Sequence, residues 1–80
     1  MSMGDDFIDV FYGEGQFTNF GAMLFRLIAK ADLPNLNRLR KSYPTETTLY
    51  DWWMMCEAPP PIEDVRKKAD EIDAEQRMWP

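Results

Sequence analysis

Residues 43–56 restrict the fold most, because they have the pattern of a helix that is apolar on more than one face. One face follows the i, i+3, i+4, i+7 spacing of an α-helix and consists of Leu49, Trp52, Trp53 and Cys56. Tyr50 and Met54 lie on a second face of the same helix. A helix that is apolar on two faces has to be covered on more than one side. The cover comes either from the rest of the chain or from a partner.

Two further helices are predicted between residue 17 and Pro44. A helix is predicted over 17–31, with Thr18 as its N-cap. Its core-facing apolar stripe at helical spacing consists of Phe17, Phe20, Leu24, Leu27, Ile28 and Ala31. Asp32 can cap the next helix, and Pro34 is tolerated in a first helical turn. The residues of this second helix expected to face the core are Leu33, Leu36 and Leu39. Pro44 ends it and opens the helix that follows, because the residue before a proline avoids the helical region.

The sequence of the N-terminal segment is compatible with either a strand or a short helix. Residues 7–12 are rich in β-branched and aromatic side chains, which favour a strand. The pairs Phe7/Phe11 and Ile8/Tyr12 are four residues apart, which fits a short helix equally well. Because the chain contains no second strand candidate, we expect a short helix or an extended arm lying on the core.

The C-terminal part begins with a run of three prolines, which is stiff and extended and therefore acts as a spacer. A charged helix with a thin apolar stripe follows. The sequence thus predicts an all-α fold, a compact bundle of three to four short helices forming one domain over residues 1–80. Its parts are an acidic arm at 1–15, a helical core at 16–57, a proline spacer at 58–61 and a charged helix at 62–78.

The composition argues against an enzyme. The chain has no His, one Cys and two Ser, so a nucleophile would lack its usual base. The aspartates near the N-terminus lack the spacing of a calcium-binding loop, and no phosphate-binding loop is present. We therefore expect no catalytic residues, no metal site and no cofactor.

The net charge and the absence of long apolar runs limit the classes of partner that the chain is expected to bind. The net charge is −5, and an acidic protein repels a phosphate backbone, so direct nucleic-acid binding is not expected. The middle segment is a local exception, because its bases can form a basic patch of Arg26, Lys30, Arg38, Arg40 and Lys41. Either the acidic N-terminal arm lies against this patch or an acidic partner binds it. One cysteine forms no internal disulfide, and neither a signal peptide nor a membrane-spanning run is recognisable. We expect a cytoplasmic protein that does not enter a membrane.

A sequence pattern over about residues 17–54 resembles small helical proteins encoded by bacteriophages and prophages. The matching residues run from Leu27 to Arg40 and continue with Tyr43-Pro44-Thr45-Glu46, Tyr50 and Trp53. A helix ending in Ala-Asp leads to a short Asn/Arg/Leu helix, an aromatic-Pro-x-Glu turn and a last helix with aromatic residues. The resemblance implies a helical fold, a phage-like origin and a bacterial host cell. It implies no activity and assigns no functional residue.

The expected function is non-enzymatic protein binding, because the chain carries more large apolar side chains than a core of this size requires. The resemblance and the acidity suggest an inhibitor of a host bacterial protein, with a CRISPR defence complex as the named example. Aromatic and Met side chains are enriched at interface centres. The expected contact residues are Tyr50, Trp52, Met54, Met55 and Trp79. An electrostatic alternative uses Asp5, Asp6 and Asp9.

Two alternative functions remain open at this point. The first is a small phage structural or accessory protein that forms a homodimer through the C-terminal helix and its Met78-Trp79 end. The second is a small nucleic-acid-associated regulator that binds through Arg38, Arg40 and Lys41.

Overall fold

The computed structural model describes residues 2–77 except for the side chain of Arg77, and Met1 and residues 78–80 lie outside that description. The described residues form helices and no strand, which confirms the all-α prediction. The prediction of three to four helices is wrong, because the N-terminal segment adds a fifth. The helices are α1 (Met3–Phe11), α2 (Phe20–Lys30), α3 (Leu33–Ser42), α4 (Pro44–Met55) and α5 (Ile62–Arg77).

A capping box starts α1. The Ser2 hydroxyl accepts the N–H of Asp5 at 3.1 Å, and the Asp5 carboxylate accepts the N–H of Ser2 at 3.4 Å. These bonds satisfy backbone donors that a helix start leaves unpaired. One turn later, Phe7 is fully buried and its ring meets the rings of Phe25 and Trp53 edge-on, with centroids at 5.2 and 5.6 Å. The acidic N-terminal segment is therefore a helix of the core.

The start of α2 lies later than the sequence predicts. Asn19, and not Thr18, is the N-cap, and its side chain makes no capping hydrogen bond. The preceding loop turns at Gly15, whose φ of 67° is one that side-chain-bearing residues rarely adopt. Asp9 holds this loop, since its carboxylate accepts the N–H groups of Gln16 at 3.1 Å and Phe17 at 3.0 Å.

The core lies where α1, α2, α4 and α5 meet. Its buried side chains are Phe7, Leu24, Phe25, Ile28, Leu49, Val65, Ala69 and Ile72. The last three form the apolar stripe of α5, which packs against α1 and α4. The radius of gyration of 12.0 Å is close to the roughly 12 Å expected for a compact chain of this length.

Helix α3 is peripheral and packs mainly on α4. The expectation that its three leucines face the core is wrong for Leu33, which is 66% exposed at the first position of the helix. Leu36 and Leu39 are partly buried against the core. An Arg40–Asp51 ion pair at 2.9 Å fixes α3 to α4.

The proline spacer is attached to the core by a short hydrogen-bond chain. Tyr12 donates its hydroxyl to the carbonyl of Pro60 at 2.6 Å and accepts the indole N–H of Trp53 at 2.9 Å. These two hydrogen bonds join the end of α1, the last turns of α4 and the segment before α5. Among residues 2–77, no helix is both long and apolar enough to cross a lipid bilayer.

Candidate functional site

Helix α2 is apolar around most of its circumference, yet the fold covers only one side of it. Arg26 and Lys30 are its only charged residues. Its inner side supplies four buried residues, Ala22, Leu24, Phe25 and Ile28. Its outer side presents Phe20, Met23 and Leu27, which are 68%, 50% and 54% exposed. We call these three residues the α2 outer face.

The three residues of the α2 outer face share one side of the helix. Their spacing of i, i+3 and i+7 places them within one helical stripe. The ring of Phe20 lies 5.8 Å from that of Tyr43, which anchors one end of the face on α4's start. The sulfur of Met23 accepts a hydrogen bond from Arg26 Nη1 at 2.9 Å. These contacts partly fix the side chains of Phe20 and Met23 on the α2 outer face.

A hollow lies on each side of Leu27. The α2–α3 hollow has a volume of about 460 Å³ and is lined by Leu27, Lys30, Ala31, Asp32, Asn35, Arg38 and Leu39. The α1–α2 hollow has a volume of about 440 Å³ and is lined by Val10, Phe11, Met23, Arg26, Leu27, Ala29 and Lys30. Leu27 and Lys30 line both hollows. The α2 outer face is therefore a ridge between two concave surfaces, the shape expected of a binding surface.

Some of the cations around these hollows interact with carboxylates of the chain, and others do not. Arg26 lies 3.7 Å from the Asp9 carboxylate and donates to the carbonyl of Gly15. Arg38 donates to the side-chain oxygen of Asn35 at 3.1 Å, a neutral acceptor on its own helix. Among the described residues, neither Lys30 nor Arg38 forms an ion pair. These two cations remain available to an anion from outside the chain.

The charge of the whole chain is segregated around this site. Residues 20–42 contain five bases and one acid, whereas the other residues contain four bases and thirteen acids. The one acid is Asp32, whose carboxylate accepts the N–H of Asn35 at 3.1 Å as the N-cap of α3. The α2–α3 region is thus a basic surface on an acidic protein.

The aromatic residues predicted to contact a partner do not lie on one surface. Tyr50 is half-buried, and its ring centroid is 5.9 Å from that of Phe11. Trp52 is half-buried on another side of α4, where Lys68 Nζ lies 5.8 Å from its ring centroid. Met54 and Met55 are 58% and 85% exposed at the end of α4. The prediction for Trp79 lies outside the described residues.

The three aspartates of the electrostatic alternative all have partners within the chain. Asp5 caps α1 and forms an ion pair with Arg66 at 2.5 Å, and these hydrogen bonds lower the pKa of its carboxyl. Asp6 is buried and accepts the amide N–H of Asn19 at 2.8 Å. Asp9 holds the loop before α2. In this structure the three carboxylates bind groups of the same chain and thereby fix α1 to the elements around it.

Arg40, a residue of the nucleic-acid alternative, and Cys56 also have contacts within the fold. Arg40 donates from Nε and Nη2 to the two carboxylate oxygens of Asp51 at 3.0 and 2.9 Å, and this contact raises the pKa of Arg40. Cys56 is half-buried, with its sulfur 3.4 Å from the carbonyl oxygen of Trp52. In the described part of the chain, no group of three or more His, Cys, Asp and Glu side chains is placed to hold a metal ion.

The comparisons assign no family to this chain. No protein-family model, no curated protein and no solved structure matches it.

The sequence analysis did not identify the α2 outer face. It assigned Phe20 and Leu27 to the stripe that faces the core and did not assign Met23. The available signal was the composition of α2, in which apolar residues occur on every side and only two residues are charged. Such a helix in an 80-residue chain is expected to need cover from outside.

Proposed function

We propose that this chain is a non-enzymatic protein-binding module whose contact surface is the α2 outer face with its two flanking hollows. The observation that supports the proposal most strongly is the exposure of Phe20, Met23 and Leu27 on one side of a helix whose other side is buried. Exposed contiguous apolar surface rimmed by polar residues is typical of interaction sites. A central large apolar side chain between polar rims has the arrangement of a binding hot spot.

The outer end of α4 is the second candidate surface. Met54 and Met55 are exposed there, as the sequence analysis expected of contact residues. A hollow of about 150 Å³ next to them is lined in part by Trp53, Met54 and Pro59. This hollow is about one third the volume of either hollow beside Leu27, so we rank it second.

The narrower function of a phage-encoded inhibitor of a host defence complex stays a prediction. Self-association through α5 is less well supported than partner binding through α2. The apolar stripe of α5 is buried by α1 and α4, and Ile62, at 44%, is the exposed large apolar residue of its described part. Met78 and Trp79 lie outside that part.

Affinity capture with matched variants tests the proposed surface. Tagged full-length protein, Leu27→Asp and Met55→Asp are exposed to lysate of the source organism, and co-purifying proteins are identified and then tested as purified partners. Both substitutions introduce the same charge at an exposed residue, so they form a matched pair. We expect Leu27→Asp to weaken partner binding by about 2 kcal/mol, roughly thirtyfold in Kd, and Met55→Asp to leave it unchanged.

The controls separate loss of the surface from loss of the fold. Circular dichroism should show both variants folded, because both side chains are more than half exposed. Leu27→Ala serves as a second variant that adds no charge. Partner binding that is lost in Met55→Asp and retained in both Leu27 variants would assign the function to the end of α4.

A further inference from the structure

We infer that the partner segment bound at the α2 outer face is an acidic amphipathic α-helix. This inference rests on the proposed function and specifies the chemistry of the partner at the same site. It comes from three features: the shape of the two hollows, the rim cations that form no ion pair among the described residues, and the segregation of charge along the chain.

The shape of the site favours a helix. In the described part of the chain there is no strand, so an extended peptide finds no sheet edge to join. The α2 outer face runs from Phe20 to Leu27, a distance of about 10 Å at a rise of 1.5 Å per residue. A partner helix that presents apolar side chains at i, i+3, i+4 and i+7 covers the same length. Its apolar side chains would enter the hollows on each side of Leu27.

The rim of the site favours carboxylates. Lys30 lines both hollows and Arg38 lines the α2–α3 hollow, and neither forms an ion pair among the described residues. Arg38 is on α3 and Lys30 is on α2, so the two cations border the α2–α3 hollow from opposite sides. A helix with Asp or Glu flanking its apolar stripe would place carboxylates beside these cations while its apolar side chains fill the hollow.

The charge distribution disfavours the other occupants. A second copy docked by a two-fold axis through Leu27 would place the basic region of one copy against that of the other. A nucleic acid would meet the cations but would leave the apolar ridge and hollow walls in contact with a charged backbone. The protein outside residues 20–42 is also strongly acidic, with thirteen acids and four bases, and repels phosphate. An acidic amphipathic helix satisfies both the apolar and the basic part of the site.

Fluorescence anisotropy with designed peptides tests this inference on the full-length protein. The probe is a labelled peptide of about 18 residues, long enough for partial helicity, with Leu at i, i+3, i+4 and i+7 and Glu on the flanking positions. A second peptide has Lys in place of Glu, and a third is a scrambled form of the first. We expect the Glu peptide to bind at least about tenfold more tightly than the Lys and scrambled peptides at low salt. The preference should diminish as salt is added.

Charge-reversal variants connect the preference to the site. In the double variant Lys30→Glu with Arg38→Glu, we expect the affinity for the Glu peptide to fall at least about tenfold and the preference to move to the Lys peptide. Lys67→Glu is the matched control, since Lys67 is an exposed cation of α5 without an ion pair among the described residues. It should leave the affinity unchanged.

The outcomes distinguish this inference from the proposed function. If the Glu and Lys peptides bind equally and Leu27→Asp abolishes their binding, the inference of an acidic partner fails. The proposal that the α2 outer face is the contact surface would still hold. Peptide binding insensitive to both Leu27→Asp and the double variant would overturn both. Binding of a single-stranded oligonucleotide more tightly than the Glu peptide, lost in the double variant, would assign the basic rim to nucleic acid. Failure of all three peptides to bind would also overturn the inference.

Discussion

At the scale of single residues, Gly21 determines how closely α1 approaches the first turn of α2. A Cβ atom at position 21 would lie 3.0 Å from Asp6 Cγ and would overlap a carboxylate oxygen. Asp6 is buried and accepts a hydrogen bond from Asn19, so its side chain has little freedom to withdraw. The absence of a side chain at Gly21 is therefore a requirement of the α1–α2 junction.

The first prediction is that Gly21→Ala destabilises the protein although alanine favours a helix. The helix propensity gain is about 1 kcal/mol. Overlap with a fixed, buried group costs about 1–3 kcal/mol, and displacement of Asp6 from Asn19 adds to it. We expect the free energy of unfolding, measured by urea denaturation, to fall by about 1–2 kcal/mol.

Gly4→Ala is the matched control for this prediction. Gly4 is also a helical glycine, but a Cβ there would lie 3.4 Å from the Cβ of Ala69, an ordinary van der Waals distance. We expect its free energy of unfolding to stay unchanged or to rise. Equal stability of the Gly21→Ala and Gly4→Ala variants would contradict the close approach of Asp6 to α2.

The second prediction concerns Asp5 and the pH dependence of stability. Hydrogen bonds from Arg66 and Ser2 lower the pKa of Asp5 in the folded protein. A lowered folded-state pKa stabilises the fold above the unfolded-state pKa, and that stabilisation is lost as the pH falls through the folded-state pKa. Asp5→Asn should therefore be less stable than wild type at pH 7, by about 1 kcal/mol or less for an exposed pair.

The measurement is urea denaturation of both proteins between pH 7 and pH 3. The stability difference should shrink as the pH falls below about 4. Asp70→Asn serves as the control, since Asp70 is an exposed carboxylate of α5 without an ion pair in the described residues. A difference between wild type and Asp5→Asn that does not shrink at all between pH 7 and pH 3 would show that another interaction of Asp5 matters more.

At the scale of helices, Tyr12 connects the end of α1 to α4 and to the segment before α5. Its hydroxyl joins Trp53 on α4 to the carbonyl of Pro60 in the segment before α5. The third prediction is that Tyr12→Phe lowers the free energy of unfolding by about 1–2 kcal/mol, because it leaves a half-buried indole N–H and a carbonyl unpaired. Thermal denaturation followed by circular dichroism measures the effect.

Tyr50→Phe is the matched control for Tyr12→Phe. Tyr50 packs against Phe11 through its ring, and its hydroxyl makes no hydrogen bond within the described residues. Removal of that hydroxyl should change the stability little. A Tyr12→Phe variant as stable as Tyr50→Phe would mean that the proline segment is held by other contacts.

The starts of α3 and α4 were predicted correctly, because each depends on a residue at the helix start itself. Asp32 caps α3 with a bond to Asn35, and Pro44 begins α4, as their sequence positions indicated. Thr18 was the wrong cap because the distant Asp9 carboxylate binds the loop at residues 16 and 17. For α1, residues 7–12 fit both a strand and a helix. The capping box between Ser2 and Asp5 was a readable local signal in favour of the helix.

The candidate site was less predictable from the sequence than the helix starts. From the sequence, Tyr50 and Trp52 of α4 were predicted to contact a partner, but the ring of Tyr50 packs against Phe11 and Lys68 lies over the ring of Trp52. Which side of an almost entirely apolar helix such as α2 is covered depends on where α1 and α4 pack. That arrangement is set by tertiary contacts distant in sequence, so Leu27 could not be distinguished from a core leucine.

At the scale of the whole molecule, the basic region between Phe20 and Ser42 interrupts an otherwise acidic chain. The fold pairs two of its five cations with carboxylates, Arg26 with Asp9 and Arg40 with Asp51. The other three form no ion pair within residues 2–77, and two of them, Lys30 and Arg38, lie beside the exposed ridge formed by Leu27. Apolar surface and these two cations thus coincide on one side of the molecule, which is the basis of the binding account.

Site-specific photo-crosslinking tests that account most directly. The full-length protein carries photoreactive benzoylphenylalanine in place of Leu27 or, as the matched comparison, in place of Met55, and is irradiated with its purified partner. The account predicts an adduct with the partner from position 27, mapped to an acidic helical segment, and none from position 55. An adduct from position 55 alone, or adducts only between copies of this chain, would contradict it.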